Sequence, residues 1–287
     1  MTTRPFRFGV NLLTSDSRTE WQAKAKKAEE LGYDVLNVPD HLGRPAPFPA
    51  LVAAAEVTTT ARLGTYVLNA GFYRPALLAR EVATTDLLSG GRFELGLGAG
   101  YVKEEFEAAG LPFPGAGARV DHLVRTVTEL RDLFSGDHRP APVQRPAPPI
   151  MIAGQGRRIL RAAAEHADIV GIAGALPRDA EDTGHGALAE KVELVRSAAG
   201  PRAAELELNL LIKGVARDAA SADLSFQRRF APELSDEQLL RLPGVLVGGP
   251  AAIADSLHEY RETYGITYFS VLEFHQDAFA KVIAQVR

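Results

Sequence analysis

The amino-acid sequence predicts a closed (β/α)8 barrel, also called a TIM barrel. Two observations support this prediction: strand-like and helical segments alternate along the chain, and eight such units fit into its 287 residues. Regular alternation indicates parallel strands joined by helices, and a barrel of this kind typically takes about 250 residues. An open, doubly wound sheet is the alternative. No GxGxxG turn follows the first strand, where a dinucleotide-binding sheet would have one, and the barrel is therefore favoured.

The first half of the chain provides four of the units. Trp21, Ala25 and Ala28 recur at helical spacing and predict an amphipathic first helix. Gly32 should stop that helix, and Pro75 suits the first turn of another. The prolines at 45, 47 and 49 predict a loop. The predicted strands are 6–13, 33–39, 62–69 and 92–98, and the predicted helices are 18–31, 50–60, 75–88 and 117–134.

The second half provides the other four units and an insertion. The proline-rich stretch 140–149 resembles a linker, but a strand resumes at residue 150, so we expect a single domain over residues 1–287. Residues near 216–245 are polar and irregularly helical, and we interpret them as a short insertion. The predicted strands are 150–153, 168–173, 206–215 and 267–273, with a short apolar run at 245–248, and the predicted helices are 157–166, 187–199, 251–264 and the C-terminus.

Composition excludes several classes of function. The net charge is −4, so no basic field favours nucleic acid. The chain has no cysteine, which excludes disulfides, thiolate catalysis and cysteine-bound metals, and no histidine or carboxylate motif indicates another metal site. No apolar run approaches the roughly 18 residues of a membrane span. The start lacks a secretory signal pattern, so we expect a cytoplasmic protein.

Functional residues of a barrel collect where its strands end. Asp40 and His41 follow the second strand, and a histidine beside a carboxylate can exchange protons near neutral pH. A solvated loop pair or a helix cap is the structural alternative. The other strand ends contain Asn11, Asn69, Gly71, Gly98, Gly100, Tyr101, Gly154, Gln155, Gly156, Arg157, Gly174, Glu273 and His275.

Glycines mark two of these strand ends. Gly96, Gly98 and Gly100 occupy alternate positions at the end of the fourth strand. A strand without side chains there lets something flat or bulky approach its backbone, although a close-packed turn would explain the same pattern. Residues 154–158, Gly-Gln-Gly-Arg-Arg, join the fifth strand to a helix. Bare amides at a helix N-terminus can hold a phosphate or carboxylate, and a tight turn with solvated arginines is the alternative.

Glu94 lies inside the fourth strand between two apolar residues. A carboxylate that points into a barrel needs a buried partner. We therefore expect Glu94 to belong to a structural polar network.

Taken together, these residues resemble the luciferase-like family of flavin- and deazaflavin-dependent enzymes, over nearly the whole chain. The most specific stretch is 62–113, where a barrel helix, an SGGR turn, a GxGxG strand end and EEF occur in the family's order. The insertion matches only in position. The other matching segments are AEELGYDVLNVPDH (28–41), PIMIAGQGRRILRAAAEHADIVGI (149–172) and VGGPAAIADSLHEYRETYGITYFSV (247–271).

The resemblance implies a barrel that binds coenzyme F420 or FMN at its C-terminal mouth. Asp-His after the second strand looks more like the deazaflavin branch, in which His41 would lie near the reactive ring carbon. In that branch a non-proline cis bond, here Tyr66–Val67, often backs the ring. The catalytic residues implied are His41 and Tyr101, and the implied cofactor-binding residues are Asp40, Tyr66, Val67, Asn69, Ala99, Gly100, Gly154, Gln155, Gly156 and Arg157.

One departure from the family pattern bears on the substrate. Sugar-phosphate dehydrogenases of this branch carry a catalytic glutamate where this chain has Tyr101, which argues against a sugar-phosphate alcohol. The resulting hypothesis is an F420-dependent oxidoreductase that transfers a hydride between the deazaflavin and an unsaturated small molecule, with a C=C, C=N or C=O bond. An FMN-dependent monooxygenase and a barrel that binds a flavin or a phosphorylated ligand without turnover are the alternatives. We expect a homodimer, with no nucleic-acid or membrane partner.

Overall fold

The computed structural model describes residues 4–176 and 183–287, in which strands and helices alternate as predicted. The first half contains β1 (Arg7–Asn11), α1 (Arg18–Glu30), β2 (Val35–Val38), α2 (Pro47–Ala55), β3 (Arg62–Thr65), β4 (Leu68–Asn69), α3 (Pro75–Leu88), β5 (Phe93–Gly98), α4 (Lys103–Ala108) and α5 (Ala116–Ser135). The second half contains β6 (Ile150–Gly154), α6 (Arg157–His166), β7 (Ile169–Ile172), α7 (His185–Ala199), β8 (Glu207–Ile212), β9 (Gly214–Ala216), α8 (Ser225–Phe230), α9 (Asp236–Leu240), β10 (Val245–Val247), α10 (Pro250–Tyr264), β11 (Ile266–Leu272) and α11 (Gln276–Val286).

The strands form a closed parallel barrel, which confirms the predicted (β/α)8 fold. The neighbours run in the order β3, β2, β1, β11, β8, β7, β6 and β5, and β3 also pairs with β5, so that the sheet closes on itself. Parallel strands all point the same way, and every residue that follows a barrel strand therefore lies at one end. That end is called the mouth below.

The third barrel strand is interrupted, where the sequence predicts one continuous strand over 62–69. Gly64 pairs with Glu94 and Leu68 pairs with Leu97, so four steps along the third strand match three along β5. The extra residue makes a bulge between β3 and β4. The Tyr66–Val67 peptide bond within the bulge is cis, as predicted.

The bulge explains the glycines of β5. A Cβ on Gly96 would lie 2.0 Å from the Thr65 carbonyl oxygen, and one on Gly98 would lie 2.8 Å from a Val67 methyl group. Gly100 has a φ of +74° and faces the Asn69 side chain. The group that approaches these glycines is therefore the protein's own third strand. Close packing within the protein, rather than a bound molecule, explains the glycines.

Glu94 belongs to a charged network at the closed end of the barrel, as expected. Its carboxylate pairs with Arg7 and Arg62, and Arg7 also donates to Glu207 at 2.5 Å. These residues lie at or near the beginnings of four strands, opposite the mouth. The network therefore stabilises the fold and is remote from the site described below.

Two features of the helices differ from the prediction. Helix α2 begins at Pro47, although the prolines predicted a loop, because a proline in the first helical turn loses no hydrogen bond. Helix α4 was not predicted, since its six residues are too few to show a periodic pattern. Over residues 4–176 and 183–287, no helix combines the length and the apolar composition needed to cross a membrane.

The predicted insertion lies between two short strands beside the barrel. Strand β9 continues from the end of β8 and pairs in parallel with β10. Between them, helices α8 and α9 pack around a small apolar cluster of Ala231, Leu239, Leu242 and Val245. The insertion thus follows the seventh barrel strand and lies at the mouth.

Candidate active site

His41 follows β2 and forms an ion pair with a residue from another strand end. Its Nδ1 atom lies 2.8 Å from the Glu105 Oε1 atom, and the side chain of Glu105 is only 15% exposed. Glu105 lies on α4, which follows β5. A carboxylate at this distance accepts a hydrogen bond from Nδ1–H, and this bond leaves Nε2 as the free ring nitrogen.

Glu105 is the functional candidate that the sequence prediction missed. Its neighbour in the chain, Glu104, is exposed, and nothing in the local pattern distinguishes the two carboxylates. The EEF motif gave the position of the pair along the chain, but the helix that aims Glu105 at His41 was not predicted.

Tyr101 lies beside the same histidine. The two rings meet edge to face, with centroids 6.0 Å apart, and Tyr101 is 65% exposed. Partial burial raises the pKa of the Tyr101 phenol, and the nearby Glu105 carboxylate raises it further. The hydroxyl therefore keeps its proton at neutral pH and can donate a hydrogen bond into the mouth.

Asp40 is held by the neighbouring strand end. Its Oδ2 atom accepts a hydrogen bond of 3.1 Å from the Asn69 backbone amide. Burial raises the pKa of the Asp40 carboxyl, while the Asn69 amide, the Tyr73 hydroxyl and His41 oppose that rise. Asp40 thus fixes the end of the third strand.

The bulge residues line the mouth. The Tyr66 hydroxyl donates a 2.6 Å hydrogen bond to Asn209 inside the barrel, which fixes the ring across the barrel interior. Val67, Ala99 and Gly100 are partly exposed. The mouth therefore has a floor of one aromatic ring, small side chains and backbone, next to His41.

The beginning of α6 is open. Gly156 is its N-cap and has no side-chain cap, and a Cβ on Gly156 would meet nothing within 4 Å. The first amides of a helix have no partner within the helix, and Arg157 next to them is exposed. Arg158 is paired with Asp121. Free amides beside open space and one arginine fit a phosphate group.

Several other strand-end candidates have structural roles. Glu273 accepts a 2.8 Å hydrogen bond from the Leu13 amide and holds the loop after β1. The Asn69 side chain accepts from the Gly71 amide at 3.0 Å. His275 is buried, and its Nε2 donates to the Lys213 carbonyl at 3.2 Å. Asn11 is buried at the end of β1, and its Oδ1 atom has no partner among the described residues.

No cluster of three histidine or carboxylate side chains suited to a metal ion occurs within residues 4–176 and 183–287. The chemistry that the mouth offers is therefore proton transfer at the imidazole and phenol, beside a floor suited to a flat ring and a helix N-terminus suited to a phosphate.

A family model described as luciferase-like monooxygenase matches residues 2–223. The chain is 30% identical over 184 residues to 5,10-methylenetetrahydromethanopterin reductase from Archaeoglobus fulgidus, covering 61% of this chain and 55% of that protein. It is 36% identical over 123 residues to F420-dependent glucose-6-phosphate dehydrogenase from Amycolatopsis mediterranei, covering 40% of this chain and 37% of that protein. The match thus spans about half or less of each relative's length.

Solved structures share the fold at lower sequence identity. An F420-dependent secondary alcohol dehydrogenase in complex with an F420–acetone adduct superposes with a TM-score of 0.77 at 19% identity, over 99% of this chain and 100% of that one. A long-chain alkane monooxygenase superposes with a TM-score of 0.76 at 14% identity, over 99% of this chain and 92% of that one. The same barrel therefore occurs in proteins of different activity.

Proposed function

The chain belongs to the luciferase-like monooxygenase family, and we propose that it is an oxidoreductase that uses the deazaflavin F420. The reaction transfers a hydride between the deazaflavin and an unsaturated small molecule with a C=C, C=N or C=O bond. Relatives whose names describe an F420-dependent enzyme support the choice of cofactor.

The His41–Glu105 pair is the observation that carries this proposal. The 2.8 Å contact holds the imidazole by Nδ1, and Nε2 is left as the ring nitrogen that can exchange a proton with a bound molecule. When His41 is protonated, the carboxylate of Glu105 stabilises the positive charge through a charge-assisted hydrogen bond. The arrangement suits a residue that gains and loses a proton during each turnover.

His41 and Tyr101 provide the proton that the hydride transfer requires. Bound F420 would supply the hydride from its C5 carbon. In the reducing direction one carbon of the substrate double bond would receive that hydride. Protonated His41 gives its Nε2 proton to the other atom of the bond, so that the substrate gains two electrons and two hydrogens. The Tyr101 hydroxyl, held protonated by its raised pKa, donates a hydrogen bond to the same atom.

The cofactor phosphate would bind at the beginning of α6. The backbone amides near Gly156 and Arg157 have open space before them, and the helix dipole favours an anion there. The ring would lie over Tyr66 and Val67, against Ala99 and Gly100 at the end of β5. With the ring there, His41 and Tyr101 would be available to a substrate that approaches its exposed side.

An FMN-dependent monooxygenase is the second candidate, because the family description and several solved relatives are monooxygenases. Reduced FMN activates O2, whereas deazaflavin reacts poorly with it. Consumption of O2 by the protein with reduced FMN therefore separates the two candidates.

The proposal is tested by titrating the protein with F420 and with FMN while following cofactor fluorescence. We expect F420 to bind more tightly than FMN, and no O2 uptake with the reduced deazaflavin. Micromolar or tighter FMN binding, together with no detectable F420 binding, would contradict the proposal. The homodimer, the single domain and the cytoplasmic location remain predictions, of which the first is checked by light scattering during size-exclusion chromatography.

A further inference from the structure

Two lysines meet at the mouth on the side away from His41. Lys213 directly follows β8, and Lys191 projects from α7. The Lys191 Nζ atom donates a 2.7 Å hydrogen bond to the Gly174 carbonyl. The Lys213 Nζ atom lies 3.1 Å from the place where a Cβ on Gly174 would be. The ammonium group of Lys213 therefore lies in the space that the missing side chain of Gly174 leaves after β7, and the ammonium group of Lys191 is held on the Gly174 carbonyl.

Neither lysine has a carboxylate partner within residues 4–176 and 183–287. By contrast, Lys24, Lys27 and Lys103 each pair with a carboxylate. Burial, and to a smaller extent the charge of Lys191, lower the pKa of Lys213 to about 8. A partly buried cation without a counterion costs free energy, and that cost would be offset by an anion brought from solution.

The backbone holds Lys213 in place. Its carbonyl accepts hydrogen bonds from Gln227 at 2.8 Å and from His275 at 3.2 Å. Its amide donates to the Gly244 carbonyl at 2.7 Å. Gln227 and Gly244 both belong to the insertion. The insertion therefore fixes the position from which the ammonium group projects, as expected of a site formed before its ligand binds.

Helix α8 connects this pair of lysines to the proposed catalytic residues. Its Phe230 ring lies over Lys213, with the ammonium nitrogen 5.5 Å from the ring centroid. Its Arg229 is close enough to Tyr101 to lower the pKa of the phenol, against the effects of burial and of Glu105. Consecutive residues of one helix thus lie near both groups.

We propose that Lys213 and Lys191 form an anion subsite that holds a carboxylate or phosphate group of the substrate, while its reacting bond lies beside His41 and Tyr101. The inference rests on the proposed function, because it places the substrate on the deazaflavin. It adds the chemical class of the substrate, namely an unsaturated molecule with an oxyanion group. The subsite is separate from the beginning of α6, where the cofactor phosphate is placed.

The first experiment needs no cofactor. Lysines are reductively methylated with 13C-formaldehyde, and their NMR signals are titrated with pH in the absence and presence of inorganic phosphate or succinate. Lys213→Met and Lys191→Met identify the two signals. We expect the midpoint of Lys213 to lie near 8 and to rise by about one unit or more with either anion, since a bound anion favours the charged form. Exposed Lys281 is the internal control and should not move.

A midpoint of Lys213 at the ordinary lysine value of about 10.4, or a midpoint near 8 that neither anion shifts, would overturn the subsite. These outcomes do not depend on the identity of the cofactor. Absence of F420 binding by the unaltered protein would instead overturn the proposed function, while leaving the result of the lysine titration valid.

The second experiment asks whether the anion belongs to the substrate or to the cofactor. F420 is titrated into Lys213→Met and Lys191→Met. We expect its affinity to stay within about twofold of the unaltered protein, because the cofactor phosphate is held elsewhere. A loss of about tenfold or more, equal to 1.4 kcal/mol, would assign the lysines to the anionic part of the cofactor and would overturn the substrate subsite.

Discussion

The imidazole of His41 is held by a residue that is distant in the sequence. The adjacent Asp40 is engaged by the Asn69 amide, whereas Glu105, 64 residues away along the chain, contacts the imidazole. A histidine held by a largely buried carboxylate has one ring nitrogen fixed and the other free. The useful pair at this site is therefore His41 with Glu105 rather than His41 with Asp40.

His41→Ala should lower kcat by at least about 10²-fold, the usual contribution of a general acid or base. The melting temperature should change by only a few degrees, because a residue at the mouth fills little of the core. Steady-state kinetics with F420 and a thermal melt provide the measurement. His166→Ala is the matched control, since His166 has a similar exposed fraction, 34% against 37%, and lies at the far end of α6. Normal turnover by His41→Ala would mean that Tyr101 or water, and not His41, supplies the proton.

Glu105 acts through His41 and is a positioning residue. Glu105→Ala should lower kcat by roughly 10–10²-fold, a part of the general acid–base contribution, with F420 affinity unchanged. Glu105→Gln can still accept a hydrogen bond from Nδ1–H and should retain more activity. The 15N signals of the imidazole should show Nδ1 protonated in the unaltered protein and a mixture of tautomers in Glu105→Ala. Identical imidazole spectra in the two proteins would contradict this role, whatever the change in kcat.

Among the elements, those set by local chemistry could be predicted from the sequence. Helix α3 begins at Pro75 and ends at Leu88 before the turn at Gly90, as the pattern indicates. The beginning of α6 after Gly156 was also correct. In each case proline or glycine at a helix end determines the boundary within a few residues.

The parts that were not predicted depend on contacts between distant segments. The glycines of β5 are required by the carbonyl of Thr65 and by Val67 on the neighbouring strand, and spacing within β5 alone could not distinguish that neighbour from a ligand. The Tyr66–Val67 bond was predicted only from the family resemblance. Helix α4 carries Glu105, and its role follows from the loop after β2 that it packs against.

The beginning of α6 can be tested against another helix of the same kind. Gly156 and Gly249 are both N-caps with extended backbone, and a Cβ on either would meet nothing within 4 Å. Both valine variants should therefore fold. Gly156→Val should weaken F420 binding by more than about tenfold, or 1.4 kcal/mol, because the new side chain would occupy the space before the amides. Gly249→Val should bind normally. Fluorescence titration provides the measurement. Equal F420 affinities of the two variants would mean that the cofactor phosphate does not bind at the beginning of α6.

At the scale of the whole molecule, the two ends of the barrel differ in whether their partly buried charged side chains have partners of opposite charge. At the closed end, Arg7 and Arg62 are neutralised by Glu94 and Glu207. At the mouth, Lys213 is partly buried beside Lys191 with no carboxylate partner among the described residues. Functional sites often carry such a cost in stability, and the difference between the two ends indicates where the molecule is prepared for a charged ligand.

The cost at the mouth should be measurable as a pH dependence of stability. Burial depresses the folded-state pKa of Lys213 to about 8, below an unfolded value of about 10.4. Between these values the unfolded chain binds more protons, so stability rises with pH. The penalty is fully present below about pH 8 and disappears as the pH approaches 10.4.

Lys213→Met removes the charge and should raise the free energy of unfolding at pH 7 by an amount on the order of 1–3 kcal/mol. That gain should shrink steadily as the pH rises from 8 toward 10, because the lysine of the unaltered protein then loses its proton and its penalty. Urea unfolding between pH 6.5 and 10 provides the measurement. Lys281→Met, at an exposed position, should show no such trend.

Inorganic phosphate at pH 7 should reduce the gain in stability of Lys213→Met, because phosphate stabilises only the protein that keeps Lys213. A gain that is independent of both pH and phosphate would mean that the introduced methionine side chain merely packs better, and that Lys213 carries no uncompensated charge.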